Sequence, residues 1–238
     1  MPETRRSIRY ALIAMLVVIP LLVSASVARR PTGEFVRIDG TWELTFHDEF
    51  DGGNADPDRW TRCYWWATNG CAIGTNGELE WYQPGNVTVA DGVLALTARR
   101  EPITTSEGEL RDFTSGMVTT GRTTSDRTEA PRFAFTYGYA EIRAKLPAGQ
   151  GLWPAFWLLP VTHESRPEID VMEVLGQDPT TLRLHYHFVE NGERASIGEN
   201  VTVPDLSIDW HTYAIEWTPD RLAWYFDDTE VWAITAPD

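Results

Sequence analysis

Short runs in which apolar and polar residues alternate, punctuated by turn signals, pattern most of this 238-residue chain. Thr41 to Phe46 alternates and leads into a polar loop, Asp51 to Asp58. Asn86 to Ala90 and Val93 to Ala98 flank Asp91-Gly92, a dipeptide that favours a two-residue hairpin turn. Tyr137 to Lys145 sets charged residues on one face and apolar ones on the other, up to a break at Pro147 to Gly151. An aromatic run, Trp153 to Pro160, is followed by an acidic run from Pro167 to Gly176, then by Leu182 to Phe188 and Thr212 to Trp217. Leu222 to Phe226 and Val231 to Ile234 flank the turn Asp227-Asp228-Thr229. After the first 30 residues no stretch of ten or more has helical periodicity, and no internal repeat or linker interrupts the pattern. Many short strands at this spacing predict an all-β sandwich or barrel.

The acidic run, P-E-I-D-V-M-E-V-L-G, holds the chain's densest candidate chemistry: Glu168, Asp170 and Glu173 among apolar neighbours. Ile169, Val171 and Val174 favour a strand, on which Glu168 and Asp170 share a face. Strict alternation sends Glu173 to the opposite face, whereas one inserted residue, a β-bulge at Val171 or Met172, restores it. Four effective steps then separate the two Glu α-carbons, roughly 13 Å at about 3.3 Å per step. Carboxyls about 5–5.5 Å apart suit retaining glycoside hydrolysis and about 6.5–9.5 Å suit inversion. The spacing alone leaves both open. The plain structural alternative is a solvated acidic edge strand that discourages edge-to-edge pairing. Apolar residues at the intervening positions argue for catalysis instead, since carboxylates crowded together raise at least one pKa, as a general acid requires.

Aromatics make up 12% of the residues, with eleven Trp, an excess that suits stacking on sugar faces or a Trp-rich core equally. Trp153 and Trp157 share a face if extended and either floor a groove toward the acidic trio or pack in the core. Trp65 and Trp66 lie between Cys63 and Cys71, with Asn76 and Glu78 just beyond as polar candidates for sugar hydroxyls. His185 and His187 share a strand face; His185 is expected to hydrogen-bond at the groove, a satisfied core histidine being the alternative. No third ligand at metal-site spacing accompanies them, and the two cysteines supply too few, so no metal site is expected. No Ser-His-Asp arrangement, nucleophile elbow or phosphate loop is present.

Acidic residues outnumber basic ones 35 to 20, for a net charge of −15, which opposes binding to nucleic acid or anionic membrane and leaves neutral ligands unaffected. Residues 1–28 read as an export signal: Arg5, Arg6 and Arg9, an apolar run Tyr10 to Val23, then the small-residue site Ser26-Val27-Ala28. That run is about 14 residues, short of the roughly 20 a membrane span needs; an uncleaved anchor is the alternative. In an oxidising compartment Cys63 and Cys71 are expected to pair as a disulfide closing a small loop.

The segment Y-G-Y-A-E-I-R-A-K-L-P-A-G-Q-G-L-W-P-A-F-W-L-L-P, followed by E-I-D-V-M-E-V-L-G, resembles glycoside hydrolase family 16, in its laminarinase-type branch with the bulged E-x-D-x-x-E signature. H-D-E-F-D-G at His47 to Gly52, N-G-E-L-E-W-Y at Asn76 to Tyr82 and W-H-T-Y-A-I-E-W at Trp210 to Trp217 carry the resemblance across nearly all of 29–238. It implies a concanavalin A-like jelly-roll β-sandwich of two antiparallel sheets. It also implies a retaining endo-β-glucanase acting on β-1,3- or mixed β-1,3/1,4-glucan. By match to the motif, Glu168 becomes the nucleophile, Glu173 the acid/base and Asp170 the residue between that hydrogen-bonds the nucleophile. Trp153 and Trp157 match substrate-stacking tryptophans. Sibling specificities (agarase, exopolysaccharide glycanase) and a non-catalytic lectin-like module are the alternatives. The chemistry requires no cofactor, relatives allow a structural Ca2+, and an extracellular monomer acting on a polysaccharide is expected. Two departures stand out. Ser115-Gly116-Met117 replaces the S-G-R of many members, so a cleft arginine is either lost or supplied by Arg122. The sequence ends at Ala236-Pro237-Asp238, ahead of the family's closing strands, so an incomplete C-terminal side is expected.

Overall fold

The computed structural model describes residues 35–37, 40–64, 77–105, 108–124, 126, 128–162 and 165–235. The export-signal expectation at 1–28 lies outside them, as do Trp65, Trp66, Cys71 and Asn76. The disulfide expectation therefore has one end, Cys71, outside the described residues. Among the described residues no helix is long and apolar enough to cross a membrane.

The strands are β1 (Phe35–Arg37), β2 (Gly40–Trp42), β3 (Glu80–Tyr82), β4 (Val87–Ala90), β5 (Val93–Leu96), β6 (Ile103–Thr104), β7 (Leu110–Arg111) and β8 (Phe113–Ser115). They continue with β9 (Gly138–Ala144), β10 (Ala155–Leu158), β11 (Glu168–Glu173), β12 (Thr181–Glu190), β13 (Glu193–Thr202), β14 (His211–Trp217), β15 (Arg221–Phe226) and β16 (Thr229–Thr235). Two antiparallel four-stranded sheets dominate, in the orders β10-β11-β12-β13 and β16-β15-β14-β9.

Period-2 patterning explains how the two sheets meet. Ile169, Val171, Met172, Leu182 and Leu184 of the first pack with Tyr213, Ile215, Leu222, Trp224 and Phe226 of the second in one buried cluster. Trp224, Tyr213 and Ile215 are fully buried, and large apolar side chains of this kind each contribute roughly 1.5–3 kcal/mol on leaving water. The core lies between the sheets. The arrangement is a sandwich, not a barrel.

Asp91 and Gly92 both adopt positive φ (53° and 74°), which places the expected two-residue turn between β4 and β5. The alternating run at Thr41 to Phe46 behaves differently, since only Gly40–Trp42 forms a strand. Leu44 turns outward, and Phe46 stacks on Phe133 at 4.7 Å and meets Trp60 edge-on at 5.4 Å, so aromatic packing replaces strand pairing there. β13 was not anticipated. Its turn signal, Asn191-Gly192 with φ of 51° and 81°, stands in the sequence, but the strand E-R-A-S-I-G-E-N-V-T has too little apolar alternation to be read.

Candidate active site

β11 lies between β10 and β12, and its register determines which side chains meet. Against β12, Glu168 faces His187, Asp170 faces His185 and Glu173 faces Arg183. From Asp170 to Glu173 β11 advances three residues while β12 advances two, so one residue is extra. Against β10, Asp170 faces Trp157 and Met172 faces Phe156, which leaves Val171 as the inserted residue. The bulge returns Glu173 to the face of Glu168 and Asp170. Its backbone is tied from behind: the Trp224 indole on β15 donates to the Asp170 carbonyl at 2.9 Å.

Each carboxylate of the trio has its own environment. Both oxygens of Glu173 are engaged, Oε1 by the Trp153 indole N–H at 2.9 Å and Oε2 by His185 Nδ1 at 3.1 Å. Asp170 is buried, and its Oδ2 lies 3.0 Å from His187 Nε2. The two imidazoles stack at 5.7 Å with planes 21° apart, His185 serving Glu173 and His187 serving Asp170.

Burial, then the charge of Asp170, pushes the Glu168 carboxyl up to about 7, against the pull of His187 and Arg166. Burial also raises Asp170, although the His187 hydrogen bond opposes it. His187 is raised in turn, first by its hydrogen bond to Asp170. Desolvation thus outweighs like-charge repulsion as the cause of the high carboxyl pKa. The raised value of about 7 belongs to Glu168, the residue matched to the nucleophile.

The aromatic expectations separate cleanly. Phe156 and Leu158 pack on the core, whereas Trp157 takes the other face with Asp170 and meets Tyr64 edge-on at 6.2 Å. Trp153 precedes β10 instead of lying on it and is 64% exposed, so its ring face is open while its N–H holds Glu173. Glu78 stands beside Tyr64 and Tyr82, whose phenols burial drives well above their ordinary range. These two rings meet edge-on at 5.4 Å and form a wall behind Trp157. Tyr64 and Arg166 were missed in the sequence. Tyr64 opens the run Tyr64-Trp65-Trp66, and attention to the tryptophans alone passes over it.

Arg122 bonds the backbone at Glu129 and Val161. Its Nε donates to the Glu129 carbonyl and its Nη1 to the Val161 carbonyl at 2.8 Å. Asp170, Glu173 and His185 bring one ligand atom each within 4.8 Å of one another, a grouping the H-x-H spacing did not reveal. Two carboxylates and one nitrogen do not fit calcium, which takes six to eight oxygens, and Glu173 and His185 are bonded to each other.

Comparison with known proteins bears on this geometry. Residues 77–238 match the family model described as glycosyl hydrolases family 16. An endo-1,3-1,4-beta-glycanase of Rhizobium meliloti is 40% identical over 201 residues, covering 79% of this chain and 41% of that protein. A beta-glucanase of Rhodothermus marinus is 37% identical over 202 residues, covering 79% of this chain and 64% of its own length. The chain thus spans about two fifths of the first relative and less than two thirds of the second. The catalytic domain of an endo-1,3-beta-glucanase (laminarinase) from Thermotoga petrophila superposes with a TM-score of 0.69 at 35% identity, covering 82% of this chain and 77% of that one. The two-sheet β-sandwich is the fold this chain shares with that laminarinase domain.

Proposed function

Because the chain belongs to family 16 of the glycosyl hydrolases, we propose that it is a retaining endo-glycosidase that cleaves β-1,3- or mixed β-1,3/1,4-glucan. The observation that carries this reading is the bulge at Val171, which sets Glu168, Asp170 and Glu173 on one face beside Trp153 and Trp157. Relatives named as an endo-1,3-1,4-beta-glycanase, a beta-glucanase and a laminarinase support the substrate class.

In the first half-reaction the ionised Glu168 carboxylate attacks the anomeric carbon of the bound sugar. The carbon–oxygen bond to the leaving sugar breaks, its electron pair goes to the departing oxygen, and Glu173 donates the proton that oxygen takes. Glu173, now a carboxylate, then removes a proton from water, whose oxygen attacks the same carbon and releases Glu168. Asp170 contributes negative charge next to the sugar as it gains oxocarbenium character, and the His187 contact at 3.0 Å fixes its orientation. The open face of Trp153 offers a stacking surface against Glu173. A lectin-like role has no use for a carboxyl bracketed by an indole N–H and an imidazole beside a second carboxyl with a raised pKa.

The same reading takes residues 1–28 as an export signal and the protein as an extracellular monomer. Release of reducing sugar from laminarin and lichenan, with agarose and succinoglycan as the competing specificities, tests the substrate class. Release from agarose alone would replace it.

A further inference from the structure

We propose that Gly198 is a positioning residue for Glu173, acting through His185; this rests on the reading of Glu173 as the acid/base. β13 is the outermost strand of the sheet that carries the trio, and Gly198 stands directly opposite His185 in its register. A β-carbon built at Gly198 would lie 2.3 Å from His185 Cδ2 and 2.8 Å from Nε2, inside the ring's own volume. It would also approach the Leu184 carbonyl at 2.8 Å. The His185 imidazole therefore lies over the bare backbone of β13, and from there its Nδ1 reaches Glu173 Oε2 at 3.1 Å.

Backbone freedom does not explain the glycine. Gly198 is not among the residues with positive φ, unlike Gly192 in the adjoining turn at 81°, so alanine suits its backbone and only the space is wrong. The next residues on the same face of β13, Ser196 and Asn200, carry side chains opposite His187 and Arg183. The gap is thus specific to the strand position facing the imidazole that holds Glu173. With a methyl group at 198, the ring has to rotate away and release Glu173, or the β12–β13 pair has to spread at Leu184.

The test is a double-mutant cycle with Gly198→Ala, His185→Ala and both together, scored by kcat and KM on laminarin, by pH profile and by thermal melt. Gly198→Ala alone should lower kcat by about tenfold or more, with KM changed by less than about twofold, because acid–base help is worth some 10²–10⁴. It should also move the alkaline limb of the pH profile. On the His185→Ala background the same substitution should cost less than about twofold, since the two changes act through one contact. An equal cost on both backgrounds, or an unchanged kcat, would overturn the proposal. If Gly198→Ala fails to fold, recovery of the melt in the double variant supports the ring as the obstacle. A melt still lost there puts the obstacle at Leu184 and overturns the claim. Nitrogen-15 NMR of the His185 ring tests the positioning without turnover. If the native chain cleaves none of the glucans, the functional reading fails, while a ring resonance unmoved by Gly198→Ala separately refutes the role given to Gly198.

Discussion

Glu168 sits half-buried next to Asp170 with its carboxyl pushed up to about 7, chiefly by loss of water. A nucleophile has to be ionised, so kcat/KM should rise as pH increases through about 7. The same shift bears on stability, with a definite sign. The group titrates near 4.5 unfolded and near 7 folded, so its stabilising contribution is complete below 4.5 and is lost as pH climbs through 7. Glu168→Gln should therefore melt like the native chain near pH 4.5 and above it beyond pH 7; a constant difference across that range would contradict the shift. Role assignment has its own check. With an activated substrate, Glu168→Ala plus azide should give the inverted glycosyl azide and Glu173→Ala plus azide the retained one. Exchange of the two anomers would swap the roles. Trp153 joins a stacking face to a hydrogen bond. Trp153→Phe should lower kcat by about ten- to a hundredfold, a hydrogen bond to a charged group being worth about 1.5–3 kcal/mol, with little change in KM. Trp153→Ala should raise KM as well, by about 1–3 kcal/mol of stacking. Normal kinetics for both variants would remove Trp153 from the site.

At the scale of the strand, the bulge at Val171 converts an alternating sequence into a one-faced acidic trio. It was legible because the parity of E-x-D-x-x-E demands an extra residue once the three carboxylates act together. Its anchor was not legible, for Trp224 lies 54 residues away and comes from the opposite sheet. Trp224→Phe leaves the buried Asp170 carbonyl without its donor, which costs about 1–3 kcal/mol before any cavity is counted. Urea denaturation should show at least that loss, and kcat should fall with it as the bulge loosens. Unchanged stability would mean the indole bond contributes nothing. β13 escaped notice for the reverse reason: as the outermost strand of its sheet it is polar nearly throughout, so no core-facing alternation marks it. With β13 unseen, the meaning of Gly198 was unseen too.

For the molecule as a whole, the two-sheet sandwich followed from recurrent period-2 runs, because burying one face of each sheet against the other leaves an alternating trace. The division of labour between Trp153 and Trp157 did not follow, since it depends on β10 beginning only at Ala155. The net charge of −15 leaves a neutral polysaccharide unopposed, and double displacement at Glu168 is the central claim about what happens to it. Proton NMR of laminarin oligosaccharides during early hydrolysis tests that claim most directly. The account expects new reducing ends to appear first as the β-anomer and only later to mutarotate to the α-anomer. First appearance of the α-anomer would contradict it.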